Sequence, residues 1–356
     1  TVSQGYDDVY THKDDWKHAL DFIIKDDENK IYKGTGNVKE NYFCYKKPVT
    51  APADGWIEEV VDNIPDNEIT DVNLKDNWGN TIIIKHAEQL YTKISHLMKG
   101  SIKVFKGSFV KKGDIIANCG NSGRSPHPHI HFQVQTTPYI GSKTLNYPIS
   151  HFMIKDNSAY KLKSYDYPKK EEIISNIEQN FSLFKAFHFI PGQKLNFEIN
   201  FYGKKENINW EAVTDIYNHS YIYCRKTKSK AYFVNHGEIH YFTNFEGNKK
   251  SLLFYFYCGT YKVLMGFYRG LVISDSYPLT LFNKNILNIL QDFVAPFFIF
   301  IHSDFQTECH FYENYLDSNT IILKSKAENK IGNHVIKEIN FEILVSNEKI
   351  EKFIVS

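Results

Sequence analysis

The chain has 356 residues, 42% of them hydrophobic and 23% charged, which excludes a disordered polypeptide and leaves room for two or three domains. A formal net charge of +1 excludes a nucleic-acid-binding surface spread over the whole protein, though not a local basic patch. Aromatic residues reach 15%, mostly Tyr and Phe, and with frequent Ile and Val they favour β-structure.

The first apolar stretch runs from Trp16 to Ile24 and reads as a strand, with His18 and Asp21 inside it. Residues 26–46 read as an insertion punctuated by turns at Asp26-Asp27-Glu28-Asn29 and Gly34-Thr35-Gly36-Asn37. Short strands then follow one another: Trp56 to Val61, Thr81 to His86 after an Asn77-Trp78-Gly79-Asn80 turn, and Tyr91 to Leu97. Alternation places Lys85 and Lys93 among apolar neighbours, as on a sheet with one wet face. Glycine turns at Gly107 and Gly113 separate two more strands, Ser108 to Val110 and Ile115 to Cys119.

The run Gly120-Asn121-Ser122-Gly123-Arg124-Ser125-Pro126-His127-Pro128-His129-Ile130-His131-Phe132 is a turn entering a strand. Successive side chains of a strand alternate between its faces, so His129 and His131 share one. Two imidazoles side by side suit a metal site or an acid/base pair.

Beyond residue 155 the chain reads as a charged linker, 156–185, with a short helix at 171–180. The remainder, 186–356, is rich in aromatic β-like runs. They include Leu195 to Phe201, Tyr221 to Cys224, Ala231 to Val234, Leu252 to Tyr257, Pro296 to Ile301 and Asn340 to Val345. The most apolar stretch, 286–301, contains Asn288, Gln291, Asp292 and Pro296. A spanning helix needs about 20 mostly apolar residues, so a buried helix followed by a strand is expected instead. No signal peptide is visible, and a start at Thr1 fits a mature secreted chain or a truncated one. Five cysteines without a CxxC motif exclude a thiolate zinc knuckle. Buried free thiols are expected, with a Cys224–Cys258 pair as the alternative.

The N-terminal part resembles the M23 family of zinc metallopeptidases, the lysostaphin- and LytM-like cell-wall endopeptidases. The resemblance rests on an ordered series of segments. These are Ala51-Pro52-Ala53-Asp54-Gly55, Trp78-Gly79-Asn80 with the strand to His86, Tyr91 to His96-Leu97, Val104 to Gly120, and Gly120 to Phe132. It implies a compact antiparallel β catalytic domain at 1–155; the strand spacing beyond it suggests one or two β-sandwich or barrel-like modules, in a chain that is mainly β.

The resemblance also implies one Zn2+, held by His131 and an upstream His/Asp pair. His18-Ala19-Leu20-Asp21 matches that pair but is one residue shorter than the family's H-x-x-x-D. Residues three apart on a strand face opposite sides, so a bulge is needed for both His18 and Asp21 to reach one metal. His12 in place of His18, or Asp14 or Asp15 in place of Asp21, are the alternatives. By the same resemblance His129 is the general base, and His96 orients water or stabilises the oxyanion. Asn80 and Ser125 line the cleft, His86 supports the strand, and His127 is a pocket residue or a fourth ligand.

The expected function is a secreted zinc-dependent endopeptidase hydrolysing peptide cross-links of bacterial peptidoglycan outside the cytoplasm, with no nucleic-acid partner and no transmembrane segment. The alternative is a non-catalytic LytM-like regulator of a cell-wall hydrolase. A lipoyl- or biotinyl-type β-sandwich has similar turns but would carry a modified lysine, which is not recognisable, and would leave the paired histidines unexplained.

Overall fold

The computed structural model describes residues 1–156, 159–281, 286–311, 320–332 and 334–356. The chain divides into two compact units, Thr1–Asp156 with Lys163–Asn176, and Ile177–Ser356 with the few residues before Lys163.

The first unit contains β1 (Val2–Gln4), β2 (Ala19–Phe22), β3 (Pro48–Thr50), β4 (Gly55–Val61), β5 (Asn80–Ala87), β6 (Leu90–Leu97), β7 (Phe109–Val110), β8 (Ile115–Asn118) and β9 (Ile130–Gln135). Seven of these form one sheet in the order β1-β2-β9-β6-β5-β4-β7, and β3 pairs with β8 beside it. Every pairing in the large sheet is antiparallel.

The two faces of this sheet differ in chemistry. Ile57, Ile82, Ile84 and Ile94 turn to one side and form a core with Val49, Ile116 and Ala117 from β3 and β8. The other side is polar and also buried. There Asp21 stands opposite His131, and His131 opposite Ser95; one pleat further on, Ala19, Gln133 and Lys93 align in the same way. The expected wet face is therefore covered: Lys93 is 0% exposed.

Three further strands, β10 (Ile149–Asp156), β11 (Ala159–Asp166) and β12 (Ile173–Ser175), make a small sheet in the order β11-β10-β12. The helix expected at 171–180 is not there. Consecutive β-branched Ile173 and Ile174 extend as β12, and the helix starts later, as α1 (Phe181–Phe187). Asn180 caps it, its side-chain oxygen accepting from the Leu183 N–H at 3.0 Å.

The described strands of the second unit form a single sheet. Its strands are β13 (Lys194–Phe201), β14 (Lys204–Thr214), β15 (Ser220–Cys224), β16 (Ser229–Asn235), β17 (Ile239–Glu246), β18 (Lys262–Leu264), β19 (Val272–Ser276), β20 (Ile301–Phe311), β21 (Ile321–Ile331), β22 (His334–Ser346) and β23 (Lys349–Val355). They run in the order β18-β17-β16-β15-β14-β13-β23-β22-β21-β20-β19 and curl into a nearly closed barrel. Only β13 and β23 pair in parallel among the described ladders.

Leu252 to Tyr257, expected as a β-run, is instead helical: α2 (Leu252–Gly259). Ser251 caps it, and Leu253, Phe254, Phe256, Tyr257, Cys258 and Gly259 are buried, so the helix is apolar nearly all round and belongs to the core. A side chain at Gly259 would meet the Phe353 ring at 2.7 Å, which is why glycine ends it. The 286–301 stretch does form a helix, α3 (Ile286–Val294), before β20, but its apolar side chains Ile289, Leu290 and Phe293 are exposed rather than buried. Among the described residues, no helix is long and apolar enough to cross a membrane. All five cysteines are buried and unpaired.

Candidate active site

The polar face of the large sheet carries a cluster of buried histidines. His131 reaches it by plain alternation along β9. His96 does not, because Ser95 already faces that side. Here β6 carries an extra residue: Ile82 pairs with Ile94 but Asn80 with Leu97. A bulge of this kind re-aims a side chain. His96 takes the left-handed conformation, φ 63°, with its N–H donating to the Trp78 carbonyl at 3.2 Å. Its ring then lies 4.7 Å from that of His129. The turn before β5 and the turn at Gly123 must meet closely to build this corner. Gly79 and Gly123 both have positive φ, and a Cβ on Gly123 would lie 2.4 Å from the Gly79 nitrogen.

Among the described residues, one group of potential metal ligands converges: His12, Asp21 and His131, whose ligand atoms all lie within 4.8 Å of one another. His12 Nε2 is 3.2 Å and His131 Nδ1 3.0 Å from Asp21 Oδ1. The outer partners set the tautomers. His12 Nδ1 lies 2.8 Å from the Gly5 carbonyl, which can only accept, so Nδ1 carries the hydrogen and Nε2 presents its lone pair. His131 Nε2 donates to Gln133 Oε1 at 3.0 Å, leaving the Nδ1 lone pair inward. The Gln133 amide is fixed in turn by donating to Gln135 Oε1 and the Ser142 carbonyl.

Against the effect of burial, Asp21 raises the pKa of His12, so a proton can bridge the two groups; with both rings neutral, two nitrogen lone pairs and a carboxylate oxygen face one another as a set of acceptors for a cation. Two imidazoles and a carboxylate are a donor set that suits zinc, with further positions left for water or substrate. Gln4 Nε2 donates to the other oxygen of Asp21 at 2.7 Å. Burial works against the Asp21 charge, yet His129, His12 and His131 around it hold its pKa well below the usual carboxylate range. Burial pushes His131 down, with Asp21 opposing.

His129 donates from Nδ1 to the His127 carbonyl at 2.9 Å and approaches Ser125 Oγ at 3.1 Å. Its Nε2 is directed inward, 3.8 Å from Asp21 Oδ2. His96 donates from Nδ1 to the Ser122 carbonyl at 2.7 Å. Burial, reinforced by His129 and His131, drives its pKa well below the ordinary histidine value, so the ring is neutral with a lone pair on Nε2. These side chains open into a cleft of about 810 Å³, walled by Tyr10, Trp16, Trp78, Arg124 and His127.

Of the residues singled out from sequence, the structure gathers Asp21, His96, His129 and His131 and leaves out His18. It precedes β2, its ring packs on Tyr6 at 5.4 Å, and its Nδ1 is buried without a hydrogen-bond partner. With three-residue spacing and no bulge inside β2, His18 and Asp21 do not share a face, and His12 folds back to stand beside Asp21 instead. Asp14 and Asp15 lie in a short 3-10 turn with exposed side chains.

Asn80 and Ser125 do not line the cleft. Asn80 is fully buried and spends its amide on Ile64 and the Leu97 carbonyl. Ser125 is fully buried and braces His129 while donating to Asn121 Oδ1 at 2.8 Å. His86 has both nitrogens engaged, by the Asp54 carbonyl and Thr92 Oγ1 at 2.7 Å each, and supports the strand end. His127 stacks on Tyr42 at 6.0 Å, and burial lowers its pKa to about 4. Sequence reasoning passed over Gln4, Gln133 and Gln135. The signal for the last two was present in the alternation His129, His131, Gln133, Gln135.

Residues 42–146 are a peptidase family M23 domain. The match contains His96, His129 and His131 but starts after His12 and Asp21. Among curated relatives, an uncharacterized metalloprotease of Haemophilus influenzae is 35% identical over 86 residues, 24% of this chain and 15% of its own length. Peptidoglycan DD-endopeptidase ShyB of Vibrio cholerae is 45% identical over 56 residues, 16% of this chain and 13% of its own. The chain thus spans only about a seventh of the length of these relatives. The catalytic domain of the antimicrobial peptidase lysostaphin from Staphylococcus simulans aligns at 19% identity, covering 41% of this chain and 84% of that one, with a TM-score of 0.26.

Proposed function

We propose that this chain is a zinc-dependent endopeptidase that acts outside the cytoplasm and hydrolyses peptide cross-links of peptidoglycan. The observation that carries the reading is the convergence of His12, Asp21 and His131, with two more histidines presenting inward nitrogens beside them.

His12 Nε2, Asp21 Oδ1 and His131 Nδ1 would hold the ion. When bound, zinc supplies Lewis acidity that polarises a peptide carbonyl and makes a water easier to deprotonate. His129 Nε2 accepts the proton of the attacking water and returns it to the leaving amine. The His127 carbonyl and Ser125 hold the His129 ring in the orientation this requires. His96 has its hydrogen committed to Ser122, so its free nitrogen can accept from a water but cannot donate to an oxyanion. This supports orienting the water, the first of the two roles the resemblance implies, over stabilising the oxyanion. Asp21 stays ionised and offsets positive charge at the centre.

The test is metal analysis of the purified full chain with a peptidoglycan-cleavage assay. About one zinc per chain is expected. His129→Ala should keep the metal while turnover falls by roughly 10²–10⁴. A metal-free protein with no activity on any wall peptide would overturn the reading.

A further inference from the structure

Lys93 belongs to none of the roles above, and it is the least expected side chain in the first unit. It projects from the middle of β6 to the polar face, opposite Gln133. It is 0% exposed, and its Nζ has no hydrogen-bond partner. Burial pushes its pKa well below the usual lysine range. A buried amine without a hydrogen bond costs stability, and a methionine would fill the same space without that cost. What Nζ does touch is one aromatic face: it lies 3.0 Å from the centre of the Trp78 ring. Charged or neutral, an N–H aimed at a π face is attractive and directional.

Trp78 connects this contact to the site. Its ring lies 5.1 Å from that of His131, and its carbonyl receives the His96 N–H. On its far edge it meets Trp16 at 5.4 Å, nearly perpendicular, and Trp16 is anchored through Nε1 to the Gly141 carbonyl. The indole is half-buried and walls the cleft next to His131.

We propose that Lys93 is a positioning residue: its Nζ, buried beneath Trp78, fixes the indole against His131 as the wall on which the substrate backbone lies. The proposal rests on the peptidase reading for its consequence in turnover, but the Lys93–Trp78 contact can be tested without it.

The experiment compares the full-length parent, Lys93→Met, Trp78→Phe and the double variant. Zinc content, thermal midpoint, acrylamide quenching of tryptophan fluorescence and peptidoglycan-cleavage kinetics are measured for each. Lys93→Met should keep its zinc and melt no lower than the parent, because it removes a buried unpartnered amine. The Trp78 emission, taken as the difference from the Trp78→Phe background, should become about twofold more quenchable as the indole loosens. KM should rise about fivefold to tenfold with kcat within about threefold, the signature of lost uniform binding. In the Trp78→Phe background, Lys93→Met should add little, because the two act as one unit.

Lys93→Gln keeps an N–H donor and should recover part of the parent's quenching; it also serves if Lys93→Met folds poorly. Unchanged quenching, additive effects, or a lowered melting point with unchanged KM would each overturn the proposal. A parent that holds zinc but cleaves no peptidoglycan would sink the peptidase reading alone, and quenching would still decide the Lys93–Trp78 contact.

Discussion

His131 on β9 and His240 on β17 are both buried histidines on strands paired on both sides, 5% and 0% exposed. Each has one nitrogen pinned by a side-chain amide, His131 by Gln133 and His240 by Asn235 at 2.8 Å. The difference lies in what the other nitrogen faces. For His131 it is the Asp21 carboxylate, with His12 converging on the same oxygen. For His240 it is nothing polar. Its Nε2 has no partner, and the rings of Phe187, Phe189, Phe233 and Phe242 surround it. Burial and a pinned tautomer are therefore common to a histidine proposed as a metal ligand and one that only packs. Convergence of a second and third donor is what separates them.

The largest effect expected from this comparison is in the ligands themselves. His12→Ala and His131→Ala should each lose zinc and reduce turnover by at least about 10³, since a three-ligand site does not survive on two. His240→Phe should leave zinc content untouched. If His12→Ala retained its metal, the ligand set drawn here would be wrong.

A smaller effect sharpens the role of the pinning amides. Gln133→Leu removes the acceptor that holds His131 in its tautomer, and zinc affinity should weaken by about 10- to 100-fold in a chelator competition. The matching change at Asn235 should do nothing to zinc.

The packing histidine makes its own prediction. Burial, with a minor contribution from His188, lowers the His240 pKa to about 3. The folded state thus resists protonation that the unfolded chain accepts near pH 6.5. Stability from this group is complete above the unfolded value and is lost as pH falls from there towards 3. At about 1.4 kcal/mol per pH unit, the loss should reach roughly 4–5 kcal/mol. Urea unfolding at pH 7 and pH 4 should show the parent's second unit weakening and His240→Phe weakening much less. Equal slopes in the two proteins would remove His240 as the cause.

How much of this was legible in sequence follows from which signals are local. The β9 histidines were, because a period of two needs no tertiary knowledge. Asp21 was legible through the resemblance, because it leads into an apolar strand as the family's aspartate does. The aim of His96 was not, because it depends on a bulge that only strand pairing reveals. Leu252 to Tyr257 read as a strand because its aromatic residues favour strands; the Ser251 cap and enclosure on all sides made it a helix. Lys93 read as a wet-face residue because alternation says which side a residue faces, not what covers that side. Asn80 opens β5 and Ser125 sits in the turn before β9, and sequence position cannot tell a residue that lines a cleft from one that braces it.

The smallest expected effect bears on the least local choice, between His12 and His18. His18 stands three residues from Asp21 and His12 nine, so proximity in sequence favours His18, whereas the geometry brings His12 to Asp21. A loop can return a side chain to a strand it left, whereas a short unbulged strand cannot turn two faces the same way. His12 is 1% exposed, held through Nδ1 by the Gly5 carbonyl, with its Nε2 3.2 Å from Asp21 Oδ1. His18 is fastened by its backbone N–H to Thr144 Oγ1 at 3.0 Å, with its ring against Tyr6. His18→Ala should therefore keep full zinc occupancy and change turnover by less than about threefold, with a stability loss of about 1 kcal/mol or less from the Tyr6 contact. Loss of zinc in His18→Ala, with retention in His12→Ala, would reverse the assignment and require β2 to bulge between Ala19 and Asp21.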